Sequence, residues 1–405
     1  MKTVVPSAER PDGYLTSAKR VAGWLRPAWL EVDLASVAAN VAHIARTVAP
    51  ARVCAIVKAD GYGHGAVRVA YAAVEGGASY LGVALAEEGH ELRQAGLDVP
   101  VLILSEPPPE AMQMVVEDHL TATIYTVRGF SALLEAARAA RPDGGGRAAA
   151  GPVPVHLKLD SGMHRVGADE GTFVELAAAV AGQPELFLEG AFTHLAVADE
   201  PGNAYTGEQL RRFEAALARL DGEGTKPRLL HAANSAGALC HPEARYAMVR
   251  PGIAMYGISP GPLVAGHAAV AALRPVLSLK AQVSLAKEVE AGERVSYGLR
   301  YELAQRSVVA TVPLGYADGV PRRLYEAGGE VLVGGRRCPI AGTVTMDQIM
   351  VDCGPGAVVR AGDEVVLIGR QGDEEVTAWE WARRLGTIAY EVTCGLSPRL
   401  PRIYV

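Results

Sequence analysis

Short apolar runs alternate with stretches of helical spacing over much of this 405-residue chain. In HGAVRVAYAAVEGGA, for example, Val67, Ala70 and Val74 share one predicted helical face. Strands that alternate with helices are typical of parallel βα units, and eight such units favour an α/β fold with a closed (β/α)8 TIM-like barrel. The eight apolar runs read, in order, VCAIV, YLGVAL, VPVLIL, TATIY, VPVHLKLD, LEGAFTHLA, RLLHAANS and AMVRPGIAMYG.

The pattern changes after about residue 271, where apolar runs such as RSVVATVPLGY and TVTMDQIMVDC follow one another without helical segments between them. Several of these runs alternate with period two, which predicts a mostly antiparallel β domain. We therefore divide the chain into an N-terminal extension at 1–28, expected to be mobile, a barrel at 29–270 and a β domain at 271–405. A glycine-rich connector at 141–152 is expected to be flexible.

Composition narrows the classes of partner. The net charge of -6 is mixed in sign along the chain, so neither nucleic acid nor a membrane surface is an expected partner. No apolar stretch is long enough to cross a bilayer, and the first residues lack the apolar segment of a secretory signal, so we expect a cytoplasmic protein. Five scattered cysteines without a Cys-x-x-Cys pair predict neither a disulfide framework nor a metal site.

Polar side chains that could do chemistry follow or end several of the predicted barrel strands. Barrel enzymes build their active sites at the carboxyl ends of the strands, so we expect these side chains to converge on one rim. The alternative for each residue taken singly is ordinary capping or turn chemistry. In strand order, the residues are Lys58, Arg165, His194, Asn234, Ser235 and Arg250.

A lysine at such a rim can form a Schiff base with an aldehyde. Pyridoxal 5'-phosphate (PLP) supplies an aldehyde together with a phosphate and a ring nitrogen. Phosphate suits backbone N–H groups and hydroxyls, which Tyr62, Ser235 and the region of Gly252 could provide. We therefore predict that Lys58 carries PLP.

Arg250 is a candidate partner for the ring nitrogen. A guanidinium with a pKa above ~12 donates a hydrogen bond without giving up its proton. This choice would leave the nitrogen unprotonated, weaken the cofactor as an electron sink and restrain side reactions. His194 could orient Arg250.

The motifs that contain these residues resemble those of the alanine racemases, PLP enzymes of the barrel type (fold type III). The resemblance runs from about residue 28 to 405, and the motifs occur in the expected order in both predicted domains. They are AIVKADGYGHG, HLKLDSGMHRVG, FTHLA, HAANSA, RPGIAMYG, RVSYG, PLGYADG, GTVTMDQIMVD and TIAYEV.

The resemblance implies a role for each matching residue. Lys58 would hold the cofactor and act as one catalytic base, and Tyr297 would be the second base on the opposite face of the substrate. Nearby cations, with His194 and Arg250 as candidates, would have to lower the pKa of Tyr297. Arg165 would contact the cofactor's phenolic oxygen and the substrate carboxylate.

Other roles follow from the same resemblance. Met346 would offer its backbone N–H to the substrate carboxylate, Tyr316 and Tyr390 would line the entrance, and Lys158 matches a position that is carbamylated in some members. Three positions depart from the commonest pattern: Gly61, His164 and Ala389, where alanine, glycine and asparagine respectively are frequent. The remaining implied cofactor-binding positions are Tyr62, Asn234, Ser235, Gly252, Ile253 through its backbone, and Tyr390.

The function that the resemblance implies is PLP-dependent interconversion of L- and D-alanine by an isomerase that works as a homodimer, with each site shared between subunits. A serine racemase, or a racemase of broader specificity, is the alternative within the family. A basic amino-acid decarboxylase would need a C-terminal cysteine–aspartate pair for which we see no match. A PLP-binding protein without turnover is a further alternative, although such proteins lack the β domain.

Overall fold

The computed structural model describes residues 26–140 and 151–405. Most of the predicted N-terminal extension and of the predicted connector at 141–152 therefore lies outside the described residues. Contacts divide the chain into two units, one formed by residues 35–275 and the other by residues up to 34 together with 276–405.

The elements are as follows. The strands are β1 (Ala28–Val32), β2 (Arg52–Ile56), β3 (Tyr80–Val83), β4 (Val101–Ile103), β5 (Ala122–Ile124), β6 (Val153–Lys158), β7 (Leu186–Phe192), β8 (Leu229–His231), β9 (Met248–Val249), β10 (Leu277–Gln282), β11 (Leu285–Val289), β12 (Arg294–Val295), β13 (Tyr301–Glu302), β14 (Ser307–Val312), β15 (Glu330–Val333), β16 (Arg336–Pro339), β17 (Ile349–Asp352), β18 (Glu364–Gln371), β19 (Glu374–Val376) and β20 (Arg402–Tyr404). The helices are α1 (Leu34–Val48), α2 (Lys58–Tyr62), α3 (Ala66–Glu75), α4 (Ala86–Gln94), α5 (Met112–Glu117), α6 (Val127–Ala139), α7 (Glu170–Ala181), α8 (Tyr205–Gly222), α9 (Ser235–Cys240), α10 (Ala268–Ala271), α11 (Ala378–Leu385) and α12 (Ala389–Cys394).

The unit at 35–275 holds two parallel sheets, with strand orders β4-β3-β2-β9 and β5-β6-β7-β8. Each of the eight apolar runs named above overlaps one of these strands. All four positions of β3 are buried, as expected for a parallel sheet that is covered on both faces. The mixed α/β character predicted from the alternating pattern is confirmed.

Local sequence sets the helix boundaries in this unit. The side chain of Thr126 accepts a hydrogen bond from the N–H of Gly129 at the start of α6, and Asp169 caps α7 in the same way. In α3, Ala70 of the predicted face is buried, and Val67 and Val74 on the same face are half-buried. Ala66, Val69 and Ala73 extend the buried surface of this helix to one side.

The second unit is built mainly from antiparallel strands, which confirms an antiparallel C-terminal β domain. One sheet has the order β16-β15-β18-β10-β1-β20, with β19 beside β18, and another has the order β11-β14-β17. The pairing of β1 with β20 is parallel, and its pairing with β10 is antiparallel.

The first described strand belongs to this second unit. β1 buries Ala28, Leu30 and Val32 while it pairs with β10, although the predicted boundary placed residues 29–32 with the barrel. Arg26 adds two hydrogen bonds, of 2.9 and 2.8 Å, to the buried carboxylate of Asp318. None of the helices within the described ranges combines the length and apolar character that a membrane span needs.

Candidate active site

Lys58 lies just beyond the carboxyl end of β2, at the start of an unusual turn. The backbone of residues 59–62 is left-handed throughout, with φ between 51° and 59°. Only Gly61 among these residues adopts that conformation without steric cost. The turn is closed by backbone hydrogen bonds from Gly61 N to Val57 O at 2.9 Å and from Gly63 N to Ala59 O at 3.0 Å, and Lys58 is half-buried at its start.

Four cationic side chains surround His194. Burial lowers the pKa of His194 well below its usual range, and the positive charges of Arg250, Lys158, Arg165 and Lys58 lower it further. His194 is therefore a neutral imidazole near pH 7. Four of the six predicted rim residues, Lys58, Arg165, His194 and Arg250, are therefore close enough to interact, and the positive charge of the lysine and the two arginines suits an anionic ligand.

Arg250 is the most tightly held of these cations. It is 3% exposed, and its Nη2 donates to the carbonyl oxygens of Thr193 at 2.8 Å and Ala232 at 3.0 Å. It also contacts Nδ1 of His194 at 3.2 Å and Nδ1 of His231 at 2.7 Å. Because guanidinium only donates, both imidazoles accept at Nδ1 and carry their hydrogen on Nε2.

The role of His231 was missed in the sequence. From Arg250, a buried chain of hydrogen bonds runs through His231. His231 Nε2 lies 2.8 Å from His156 Nδ1, and His156 Nε2 lies 3.2 Å from a carboxylate oxygen of Glu189. Tyr80 donates to the other carboxylate oxygen of Glu189 at 3.0 Å. Burial lowers the pKa of both histidines, so the chain holds neutral rings whose hydrogens all point away from Arg250. A histidine within each of two predicted strands was the available signal.

A polar cradle follows β8 and β9. The hydroxyl of Ser235 accepts hydrogen bonds from the N–H groups of Gly252 at 2.9 Å and Ala254 at 3.3 Å. A Cβ atom added at Gly252 would lie 2.4 Å from the hydroxyl oxygen of Tyr62. Both hydroxyls therefore lie beside the backbone of residue 252, where a side chain would collide with Tyr62, and Ile253 follows with its side chain fully buried.

Asn234 and Tyr62, which flank this cradle, are each fixed by their own contacts. The Asn234 side-chain oxygen accepts from Gly237 N at 3.0 Å and so caps α9, while its amide donates to Leu195 O at 3.3 Å. The Tyr62 ring packs against Tyr256, with 5.0 Å between ring centroids. Asn234 is thus placed as a capping residue beside the cradle.

Lys158 is the most deeply buried lysine of the cluster. It is 4% exposed, donates to the carbonyl oxygen of Leu104 at 3.3 Å, and lies 5.3 Å from the centroid of the Phe192 ring. Burial, followed by the charges of Arg250, Arg165 and Lys58, lowers its pKa to about 7. Its charged and neutral forms are therefore both populated near pH 7.

The position at which glycine is frequent in the family holds a strained histidine. His164 has φ of 54°, and its backbone N–H donates to Asp160 at 3.0 Å. The same carboxylate lies 3.3 Å from His164 Nδ1, and these contacts hold the left-handed conformation. Gly61 is itself left-handed, with φ of 59°.

The remaining predicted residues belong to the second unit. Tyr297, Tyr316 and Met346 line an open cavity of about 480 Å³, and the Tyr297 side chain is 73% exposed. Tyr390 lies outside this lining, half-buried in α12. Within residues 26–140 and 151–405, no three His, Cys, Asp or Glu side chains form a group able to hold a metal ion.

The comparisons with known proteins agree with both units. Residues 32–260 match the model of the alanine racemase N-terminal domain, and residues 276–404 match that of the alanine racemase C-terminal domain. A protein of Symbiobacterium thermophilum named alanine racemase is 49% identical over 94% of this chain and 97% of its own length.

Solved structures give the same result. A crystal structure of alanine racemase from E. faecalis is 39% identical and has a TM-score of 0.86, covering 95% of this chain and 99% of the other. The structure of alanine racemase from Bacillus anthracis with bound L-Ala-P is 38% identical and has a TM-score of 0.85, covering 95% and 96% of the two chains. Fold and site thus define an isomerase of the amino-acid racemase class. The chain belongs to the alanine racemase family, whose members depend on PLP.

Proposed function

We propose that this protein interconverts L- and D-alanine with PLP held on Lys58. The observation that carries the proposal is that Arg250 contacts His194 at 3.2 Å and that Arg165 lines the same pocket as His194, with the charge of Lys58 acting on the same imidazole. Such a site presents an amine that can be joined to an aldehyde, together with fixed positive charge for a carboxylate and a phosphate.

The residues fit the cofactor. The Ser235 hydroxyl, the Tyr62 hydroxyl and the backbone at Gly252 form a cradle that a Cβ at 252 would fill, and oxygens of a phosphate suit such donors. Ile253, Asn234 and Tyr390 are the further positions that the family implies. When bound, PLP supplies an electron sink that stabilises the negative charge left on the α-carbon after proton removal.

The chain's own residues would then move the proton. Lys58 holds a proton at Nζ on one face of the substrate, and the Tyr297 hydroxyl holds one on the other. Arg165 binds the substrate carboxylate, with the backbone of Met346 as a second donor and Tyr316 at the entrance. Arg250 would donate to the ring nitrogen and keep its own proton, since four acceptors already fix it as a donor. Two bases make inversion possible without one base moving around the substrate.

We propose that the eight strands of the first unit form a closed (β/α)8 barrel. A parallel bridge between Leu102 and Thr121 links β4 to the segment that enters β5. At the other side, Ala247 N donates to Leu230 O at 3.0 Å, and Arg250 N donates to Ala233 O at 2.9 Å. These contacts supply the two junctions that the two four-stranded sheets need for closure. We propose 29–270 as the barrel and 271–405 as the β domain, except that residues 29–32 of β1 belong to a sheet of the β domain.

We also propose a homodimer with sites shared between subunits, in the cytoplasm. Tyr297, Leu299, Tyr316 and Met346 are all exposed in the second unit, a concentration of large apolar surface that a partner would cover. The five cysteines are all free thiols, which suits a reducing compartment.

A circular-dichroism assay tests the substrate. We expect purified protein to convert L-alanine to the racemic mixture, and L-serine and L-lysine much more slowly, with activity dependent on added PLP. Faster turnover of L-serine would move the assignment to the serine racemase alternative. Turnover of none of the three, in protein that carries PLP, would favour a binding protein.

Lys158 is proposed to be carbamylated. Its neutral amine attacks carbon dioxide, an N–C bond forms, one proton is released, and the anionic product lies among Arg165, Arg250 and Lys58. Because the pKa is lowered to about 7, the reactive amine is abundant above pH 7 and is lost as the pH falls through that value.

We expect a protein-bound carbamate carbon signal in NMR with ¹³C-bicarbonate at pH 8, which weakens at pH 6 and is absent in Lys158→Ala. The exposed lysine variant Lys226→Ala is the control and should retain the signal. A signal that persists in Lys158→Ala would assign the carbamate elsewhere.

A further inference from the structure

A carboxylate that the family resemblance did not single out holds the peptide bond next to Lys58. The Oε1 atom of Glu88 accepts a hydrogen bond of 2.6 Å from the backbone N–H of Ala59. Its other oxygen accepts from the N–H groups of Ala84 at 2.7 Å and Leu85 at 3.2 Å, which lie just after β3. One half-buried side chain thus joins the carboxyl ends of two neighbouring strands.

The position of this bond matters because the segment after Lys58 is strained. Residues 59–62 are all left-handed, and three of the four carry a Cβ that disfavours this conformation. Single left-handed residues other than glycine occur, but consecutive ones need surroundings that hold them. The Ala59 N–H is the first donor of this segment, and Glu88 accepts it as an ionised group, which gives the stronger kind of hydrogen bond.

We propose that Glu88 is a positioning residue for Lys58. It fixes the Lys58–Ala59 peptide against the end of β3 and so sets the direction in which the lysine leaves its strand. The proposal rests on the proposed function, in which Lys58 carries the cofactor. An error of about 1 Å in such a group costs on the order of a hundredfold in rate, so fixing its backbone has a direct consequence for catalysis.

A purely structural role for Glu88 is the competing explanation. Glu88 is the third residue of α4, and its bonds to Ala84 and Leu85 cap that helix. If capping were its whole contribution, its loss would lower stability without a specific effect at Lys58.

The chain supplies a matched control in Glu106. This half-buried carboxylate accepts from Tyr125 N at 2.7 Å, Thr126 N at 2.8 Å and the Thr126 hydroxyl at 2.6 Å. It therefore has the same number of donors in the same unit, and none of them belongs to the Lys58 segment.

The test compares Glu88→Gln with Glu106→Gln in the full-length protein, as holoenzyme for exchange and activity and after removal of PLP for the rate of cofactor attachment. A glutamine has one acceptor oxygen, so its NH₂ group must face N–H donors on one side. We expect hydrogen–deuterium exchange in the peptide spanning 57–66 to rise about tenfold in Glu88→Gln only. We expect slower attachment of PLP to Lys58, followed by mass after borohydride treatment, and a kcat about ten- to a hundredfold lower with little change in KM for alanine.

The outcomes separate the two proposals. Equal exchange over 57–66 in both variants, with activity falling only in proportion to thermal stability, would overturn the positioning role. Wild-type protein without PLP on Lys58 would overturn the proposed function instead. If Glu88→Gln does not fold, Glu88→Asp decides by the same measurements: it keeps the charge, but its shorter side chain cannot bridge both strand ends.

Discussion

Lys58→Ala is expected to abolish both cofactor attachment and racemisation, with a rate loss of at least about 10⁴-fold. The loss is large because one amine both forms the covalent link and moves the proton on one face. Purified variant protein should be colourless after incubation with PLP, and its mass should not change after borohydride treatment.

Lys58→Arg separates the effect of the positive charge at position 58 from the ability of the amine to bond to the cofactor. Arginine keeps the positive charge beside His194 but does not condense with the aldehyde, so the same loss is expected. Lys226→Ala, at an exposed ion pair in the same unit, should behave like the wild type. If Lys58→Ala still held PLP covalently, the central assignment would be wrong.

Tyr297→Phe is expected to retain the bound cofactor spectrum and lose about 10²- to 10⁴-fold in racemisation. The ring remains and only the hydroxyl is removed, so binding should survive while proton transfer on one face stops. In deuterated water, one enantiomer of alanine should still exchange its α-proton, through Lys58, without being inverted.

Tyr301→Phe is the control for this change, since Tyr301 lies nearby in the chain and its hydroxyl donates to Asp352 at 2.8 Å. Mixing the inactive Lys58→Ala and Tyr297→Phe subunits adds a test of shared sites. Random pairing makes half of the dimers hybrid, each with one intact site, so about a quarter of wild-type activity should return. No recovery after subunit exchange would place each site within one chain.

The order of secondary structure was predictable because it depends on short-range patterns. The eight apolar runs each overlap a strand, and the change of pattern after 271 marks the β domain. Which sheet a strand joins was harder to predict from the sequence. β1 has an alternating burial pattern that fits either unit, and only its pairing with β10 decided which.

Part of the candidate site was also predictable from the sequence, and part was not. Lys58 and its glycine-rich turn form one continuous motif, so their association is visible in the chain itself. The chain from Arg250 through His231 and His156 to Glu189 joins residues that are far apart in sequence. His194 was a candidate cation for lowering the Tyr297 pKa, but burial and four neighbouring cations keep its ring neutral.

The sequence by itself determined the α/β class, the two-part organisation and the family, because each depends on local periodicity or on a contiguous motif. The tertiary structure alone decided the neutral state of His194, the lowered pKa of Lys158 and the hydrogen bond from the Ala59 N–H to Glu88. These depend on burial and on distances between atoms of separate strands, which are fixed only when the strands pack in register.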